Sequence, residues 1–411
     1  MVFIADLQIH SRYARACSKN ITLQNLEKYA RIKGLQLLGT ADFQHPRWFE
    51  EISGNLQEDE NGILWSKTGF PFLWQSEVSL MFSRGGRRAV HLLMFAPGND
   101  VAKQIIDVLG KKGNLAADGR PIFGVQPEEF MDLMLGISKE IEIIPAHAFT
   151  PWFGIFGSDS GFDTVEECFT DRAKHIHAIE TGMSADPEMI WRNNSWNKFN
   201  LVSFSDAHSF HPWRLGREAT VFDCGLSYRE ILNAFRTGEG LRSTIEVDPN
   251  YGKYHYDGHR NCGVVLSPRE SLLLKNACPK CGGKLTVGVL QRVERLANHE
   301  EGYKPGNAKP FQKLLPLHEL IAAVYGLSQL TSVKVGEIYQ QLIKGFGNEF
   351  RVLLDASEED LKKVVHEKLA RVIIANRDGK LWVKPGYDGV YGQLLLEESE
   401  KIVKQKKLGE F

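Results

Sequence analysis

Apolar residues in the first half of this chain fall into short β-prone runs, and run after run carries or closes on a carboxylate or an imidazole. Val2-Phe-Ile-Ala-Asp-Leu7 reads as a strand that exits into Gln8-Ile-His10-Ser11, and Leu35 to Thr40 as a second that exits into Ala41-Asp42-Phe43-Gln44-His45. Phe72 to Leu80 holds Glu77 inside an apolar strand, and Ala89 to Phe95 holds His91 in the same way. Glu142 to His147 ends in His147, Ile176 to Glu180 ends in Glu180, and Leu201-Val-Ser-Phe204 continues as Ser205-Asp206-Ala207-His208. Burying a titratable group in such a run is expensive unless it has a partner or a metal. Singly, each is an ordinary core histidine or an outward-facing carboxylate. Their recurrence at matching strand positions argues for one shared site.

Segments with helical spacing lie between these runs. Residues 22–34 place Leu23, Leu26, Tyr29, Ala30 and Ile32 on one face and stop at Gly34, and similar patterns cover 100–111, 126–136, 164–173 and 186–193. Residues 53–68 read as a polar insert. Strands alternating with helices predict an α/β fold of parallel strands closed into a barrel, with its catalytic edge at the strand exits. An Asp and a His two residues apart, as in Asp206 and His208, pair a hard oxygen with a borderline nitrogen, a donor set suited to zinc or manganese.

At 411 residues the chain is too long for one core, so two or three domains are expected. A formal net charge of -1 gives no overall attraction to nucleic acid, so any such contact must come from local patches. Without an apolar run of membrane-spanning length or a basic-then-apolar leader, a cytoplasmic protein with no membrane contact is expected. A monomer is expected too. Six cysteines are too few for a disulfide scaffold, and three of them fall into His259-x2-Cys262-x15-Cys278-x2-Cys281. That spacing predicts a structural Zn2+, with His255 a nearby competitor for the place of His259. Cys17, Cys168 and Cys224 have no such partners and read as core or incidental.

Composition shifts after Pro249, and from about residue 291 the pattern becomes mainly helical. The predicted division is 1–248, 249–290 around the zinc ligands, and 291–411. Helices are expected at 290–298, 315–326, 335–345 and 358–370, the last behind a Ser357 cap. Residues 372–375 and 381–384 read as a small β-unit about Asn376-Arg-Asp-Gly379. Pro385 to Gly392 reads as a plain turn, since a phosphate-cradling loop would need a Lys-Ser that is missing. The tail after Glu397 alternates in charge and reads as helix or disorder.

The motifs Asp6 to Ser11, Thr40 to His45, Glu77, His91, His147, Glu180 and Ser205 to His208 together resemble the polymerase-and-histidinol-phosphatase (PHP) superfamily. Within it, His147-Ala-Phe-Thr-Pro-Trp-Phe-Gly-Ile-Phe-Gly-Ser158 and Gly161 to Cys168 are similar to the endonuclease Q branch. The resemblance implies a distorted seven-stranded barrel with two or three divalent cations, Zn2+, Mg2+ or Mn2+. His10, Glu77 and Asp206 would hold the first, Glu77 would bridge to a second on His91 and His147, and His208 with Asp42 or His45 would complete a third. Glu180 belongs to the same implied set, and His10, Asp206 and His208 are the implied catalytic residues. Gln8 stands where the family usually has a second histidine, and its neutral amide predicts a weaker first metal.

The implied activity is nicking of damaged double- or single-stranded DNA 5′ of uracil, hypoxanthine, xanthine or an abasic site, leaving 3′-OH and 5′-phosphate ends. Arg12 and Arg15 are then candidate phosphate contacts, and a replication or repair clamp is the expected recruiter. Trp152, Phe153 and Phe156 form a Gly-punctuated aromatic loop suited to wedging beside an extruded base. Two other readings remain: a DNA-binding repair module with weakened catalysis, and a small-molecule phosphoesterase.

Overall fold

The structure is a computed structural model that describes residues 1–396, so the charged tail after Glu397 lies outside the described residues. Its largest sheet is mixed and eight-stranded, in the order Phe311–Lys313, Leu241–Glu246, Ala219–Asp223, Val2–Asp6, Leu37–Gly39, Pro71–Leu73, Leu64–Ser66, Leu56–Glu58. A four-stranded sheet follows, in the order Ile122–Phe123, Gln75–Ser83, Arg87–Phe95, Glu142–Pro145, and Ala178–Glu180 pairs in parallel with Asn200–Val202. The chain passes from Pro71–Leu73 through Trp74 straight into Gln75–Ser83, which joins the first two sheets covalently. Main-chain bonds carry the contact onward, from Ala148 N–H to Glu180 C=O, Thr181 N–H to Val202 C=O and His10 N–H to Ala207 C=O, each 3.0 Å. Phe3, Leu7, Leu37, Leu93, Ile144, Val202 and Phe204 pack as one buried cluster among these strands.

The expected ring of parallel strands is therefore corrected. The two longest strands, of 9 residues each, form an antiparallel hairpin through Ser83–Arg87, and Glu142–Pro145 pairs antiparallel to its second arm. Gly85 and Gly86 turn that hairpin at φ +62° and +134°, backbone that a two-glycine turn adopts without strain. The stretch at 53–68, expected as a polar insert, is built into the edge of the first sheet. It is the end of a helix, Pro46–Asn55, and an antiparallel pair, Leu56–Glu58 with Leu64–Ser66, whose polar tip is folded back by Asp59 accepting from the Asn61 and Ile63 amides. Ala219–Asp223, the helix Tyr228–Thr237 and Leu241–Glu246 extend the first sheet beyond Val2–Asp6 and were not expected.

Where helical period and end signals agree, the helices stand as expected. Leu23–Lys33 is capped by the Thr22 hydroxyl, which accepts from Asn25 N–H, and ends on Gly34 at φ +99°. The C-terminal region departs further, with an unexpected strand at Phe311–Lys313 and an unexpected helical turn at Arg351–Asp355. Helix 358–370 is two helices, Glu358–Val364 and Glu367–Arg377, so 372–375 is helical and the small β-unit is Trp382–Lys384 paired with Gln393–Leu395. Leu369, Ala370, Ile373 and Asn376 share the buried face, and this burial overrides the β-propensity of Val372-Ile-Ile.

The C-terminal region is tied to the strands. Phe311–Lys313 adds in parallel to Leu241–Glu246. Buried Lys33 donates from Nζ to Glu349 Oε1 at 2.7 Å and to Pro212 C=O at 2.9 Å. Glu349 also accepts from the Tyr339 hydroxyl at 2.8 Å and the Leu317 amide at 3.1 Å.

Candidate metal centre

Glu77 lies at the middle of the centre, completely buried on the hairpin strand Gln75–Ser83. In the hairpin register Glu77 faces Leu93 and Ser79 faces His91, so Glu77 and His91 are diagonal neighbours on one face. Glu77 Oε1 is 2.7 Å from His91 Nδ1 and 3.6 Å from His147 Nε2, while Oε2 is 2.9 Å from His10 Nε2. His10 Nε2 is in turn 3.1 Å from Asp206 Oδ1, and the His10 and His208 rings stand 4.6 Å apart. Two groups result, His10 with Asp206 and His208, and Glu77 with His91 and His147, each with its donor atoms within 4.8 Å of one another. One carboxylate thus faces both.

The ring nitrogens are oriented from behind. Asp42 Oδ1 takes the Nδ1 side of His10 at 3.0 Å, leaving Nε2 for the centre. The Thr150 hydroxyl donates to a carbonyl, His147 C=O or Trp152 C=O, and so accepts from His147 Nδ1 at 2.8 Å, which leaves Nε2 as a lone pair. His147 (φ +31°) and Asp206 (φ +48°) both occupy the left-handed region as the chain leaves its strands. Gly182 makes room for the first of them, since a Cβ there would lie 2.7 Å from His147 Cβ.

Burial pulls the His10 imidazole down, but Asp42, Asp206 and Glu77 outweigh it and hold its pKa well above the ordinary value. Burial pushes Glu77 up, yet the Arg120 charge, His91 and the hydrogen bonds of His10 and His147 bring it well below the usual carboxylate range. His91 falls to about 3 through burial and the Arg120 charge. An ionised Glu77 beside a neutral His91 is a donor pair fit for a divalent cation, whereas His10 holds a proton that a cation would have to displace. Gln8 fits in part: its Nε2 donates to Glu77 Oε2 at 3.2 Å, while its buried Oε1 has no hydrogen-bond partner.

The other expected ligands take different places. Asp42 stands behind His10 and also accepts from Ser11 N–H at 2.6 Å. His45 stacks on Tyr13 with ring centres 4.2 Å apart, at the start of Pro46–Asn55. Glu180 accepts the His147 amide at 2.5 Å, and burial holds its carboxyl well above the usual range. Neither Asp42, His45, Glu180 nor Gln8 joins the two groups.

Arg12 is committed to Glu51 at 2.6 Å, whereas Arg15 is exposed. The aromatic loop divides. Phe156 is buried against Phe149 and Trp196 and is core, which corrects its assignment to a nucleic-acid contact. Phe153 stacks on His91 at 4.2 Å, and Trp152 is 39% exposed with its ring against Tyr254. Arg120 was missed. Its Nη1 is 3.4 Å from both oxygens of Glu77, and it comes from the irregular stretch Asp118-Gly-Arg-Pro121, which carries no periodic signal.

His259, Cys262, Cys278 and Cys281 form a third group of the same compactness, with Cys281 Sγ 3.4 Å from His259 Nδ1. The knuckle is closed by Cys278 N–H to Gly283 C=O at 2.7 Å and Gly282 N–H to Cys278 C=O at 2.8 Å. Burial pushes the Cys278 thiol up, but the Lys280 and Cys281 amides bring it down to about 6, into thiolate range. His255 is buried elsewhere, its Nδ1 3.0 Å from Ser184 C=O, so His259 is the residue in the group.

The solved structure of the lesion-specific endonuclease PfuEndoQ from Pyrococcus furiosus superposes with a TM-score of 0.86 at 32% identity, covering 100% of this chain and 99% of that one. An endonuclease Q complex with a 27-mer duplex substrate carrying an abasic lesion at the active site gives 0.87 at 32% identity, over 97% of this chain and 98% of that one.

This chain belongs to the endonuclease Q family.

The uncharacterized protein YqxK of Bacillus subtilis is 30% identical over 95% of this chain and 98% of its own length. The uncharacterized protein MJ0043 of Methanocaldococcus jannaschii is 33% identical over 60% of this chain, a match spanning only 31% of that protein. The family described as the MJ0043 C-terminal domain matches residues 316–380, in the helical region beyond the cysteine group. No helix among the described residues is long and apolar enough to cross a membrane.

Proposed function

We propose that this endonuclease Q family member nicks DNA on the 5′ side of deaminated bases and abasic sites through the centre around Glu77. The observation that carries the reading is one buried carboxylate facing both histidine groups, at 2.9 Å from His10 Nε2 and 2.7 Å from His91 Nδ1. Divalent cations held there, Zn2+, Mg2+ or Mn2+, would supply an acidified water for in-line attack and charge for the departing 3′ oxygen. Glu77 fixes the spacing of the two groups, and Asp42 and Thr150 hold His10 and His147 with Nε2 turned inward. Arg120, ionised beside Glu77 and partly exposed, offers a guanidinium to a phosphate oxygen. Trp152 is the residue of the aromatic loop free to stack on a base.

We assign residues 1–248 to catalysis, 249–290 to a structural Zn2+ and 291–411 to DNA or partner contacts, a clamp among them. The reading is tested by incubating the protein with uracil, hypoxanthine, abasic and undamaged duplexes, with and without chelator. Chelator-sensitive nicks confined to the damaged strands are expected. Equal cleavage of undamaged DNA, or cleavage of small phosphate esters alone, overturns it. The weakened binding module is favoured by one observation, Gln8 donating to a Glu77 oxygen. Gln8→His should raise nicking and tighten metal binding, and a variant no more active than its parent removes Gln8 as the limiting residue.

A further inference from the structure

Arg214 and Arg217 follow the Asp206-Ala-His208 motif by one loop, and Lys253 opens the segment after Pro249. All three converge on one ring from the other end of the chain, Tyr391. Arg214 lies over that ring at 4.9 Å from its centre and Lys253 Nζ at 5.8 Å, while Arg217 Nη1 is 3.4 Å from the Tyr391 hydroxyl. None of the three cations makes an ion pair with a carboxylate among the described residues, whereas Lys33, Arg120 and Arg292 each do. Arg217 is used in part, its Nε donating to Ser205 C=O at 2.9 Å. Arg214 Nη1 is buried with no hydrogen-bond partner, and Lys253 Nζ makes no hydrogen bond.

Asp206 acts on Arg217 as an ionised carboxylate, but it faces His10 in the centre, and two further nearby carboxyls do not balance the charge. Glu319 accepts from the Tyr251 hydroxyl and is pushed up by burial, and Glu218, beside Arg217, is held well above the usual range by burial and Glu246. Burial pushes the Tyr391 phenol up as well, but the charges of Arg217, Arg214 and Lys253 bring it down to about 8. A buried donor with no partner carries a desolvation cost that an anion would remove.

We propose that Arg214, Arg217, Lys253 and the Tyr391 hydroxyl form a phosphate-binding site, distinct from the metal centre, that takes a backbone phosphate of the DNA strand beside the nick. Two chains of contact lead from it to the centre. One runs through the loop from His208 to Arg214, and the other from Lys253 to Tyr254, whose ring meets Trp152, the neighbour of the Phe153 that stacks on His91. Guanidinium, ammonium and phenol hydroxyl together supply donors and no acceptor carboxylate, the chemistry of an oxyanion with several acceptor oxygens. With Arg12 taken by Glu51, this cluster supplies a phosphate contact in addition to those open to Arg15 and Arg120. In naming DNA as the source of the phosphate, the inference rests on the nuclease reading above.

The test is the salt dependence of binding to an abasic duplex by wild-type protein, Arg214→Gln, Lys253→Gln and Lys253→Arg, with melting curves in chloride and in inorganic phosphate. Each Gln variant should lower the slope of log K against log salt by about 0.9, one phosphate contact, and Lys253→Arg should restore it. Zinc content and melting in chloride should stay at the wild-type values for Lys253→Gln, which alone decides the matter if Arg214→Gln does not fold. An unchanged slope, with inorganic phosphate shifting all proteins alike, overturns the site, while nicking by the wild type leaves the nuclease reading standing. If the wild type ignores the duplex yet inorganic phosphate stabilises it and not Lys253→Gln, the site takes free phosphate and the nuclease reading fails.

Discussion

Replacing Lys33 by Met isolates what joins the C-terminal helices to the strands. Its side chain is 1% exposed and that of Glu349 is fully buried, with 2.7 Å between Nζ and Oε1. Met keeps the aliphatic stem and its volume, so little cavity forms. What remains is one buried negative charge with two neutral donors, the Tyr339 hydroxyl and the Leu317 amide, and a Pro212 carbonyl without its donor. Breaking a buried pair from one side costs about 3–5 kcal/mol, most of it from the charge left behind. In a Glu349→Gln background Lys33 is itself the uncompensated buried charge, so the same Lys33→Met change removes it and should cost nothing or stabilise the fold. Urea unfolding followed by tryptophan fluorescence, with all four proteins compared as a double-mutant cycle, gives both numbers. A loss under about 1 kcal/mol for Lys33→Met alone, or equal losses in the two backgrounds, would refute the argument.

Asp206→Ala should reduce nicking by more than about 100-fold with duplex binding retained, since even outer partners of metal ligands cost about 10–100-fold; electrophoretic nicking and anisotropy separate the two effects. Cys278→Ser or Cys281→Ser should release zinc and lower the melting temperature, because structural metal binding is itself folding free energy, and full zinc content with unchanged melting contradicts this. Glu246 is pushed up by burial from 4.5 to about 7, despite accepting from the Thr181 and Ser203 hydroxyls. The folded state therefore holds a proton that the unfolded chain has released, so Glu246 contributes fully below pH 4.5 and that contribution is lost as pH rises through about 7. Glu246→Gln should flatten the fall of melting temperature over that window, and identical slopes for the two proteins would dispose of the assignment.

What was legible in the sequence follows from period and punctuation. Leu23–Lys33 could be read because a 3.6-residue pattern met both a Thr cap and a Gly stop, and the ligand positions because each broke an apolar run. Strand direction was not legible, since parallel and antiparallel neighbours bury the same residue types; only Gly85-Gly86 marked the hairpin. Asp42 and Glu180 could be placed near the centre but not given a role, because a carboxylate behind a histidine and one beside it look alike in a sequence. Arg120 and Tyr391 come from stretches without periodicity, and their places are set by tertiary contacts alone. Val372-Ile-Ile misled because its β-propensity was local and the burial that decided its helix was not.

The two kinds of metal group also differ in when a growing chain can complete them. His259 and Cys281, in contact at 3.4 Å, are 22 positions apart, so the knuckle has all its ligands once a short segment has left the ribosome. His10 and Asp206 are separated by 196 positions, and between them the hairpin bearing Glu77 and His91 must form and dock. No nascent fragment shorter than that span presents the full set, although all of it has been made before His259 appears. A product stalled before Asp206 therefore carries early strands but neither a complete centre nor the cysteine group, which lies wholly downstream of it.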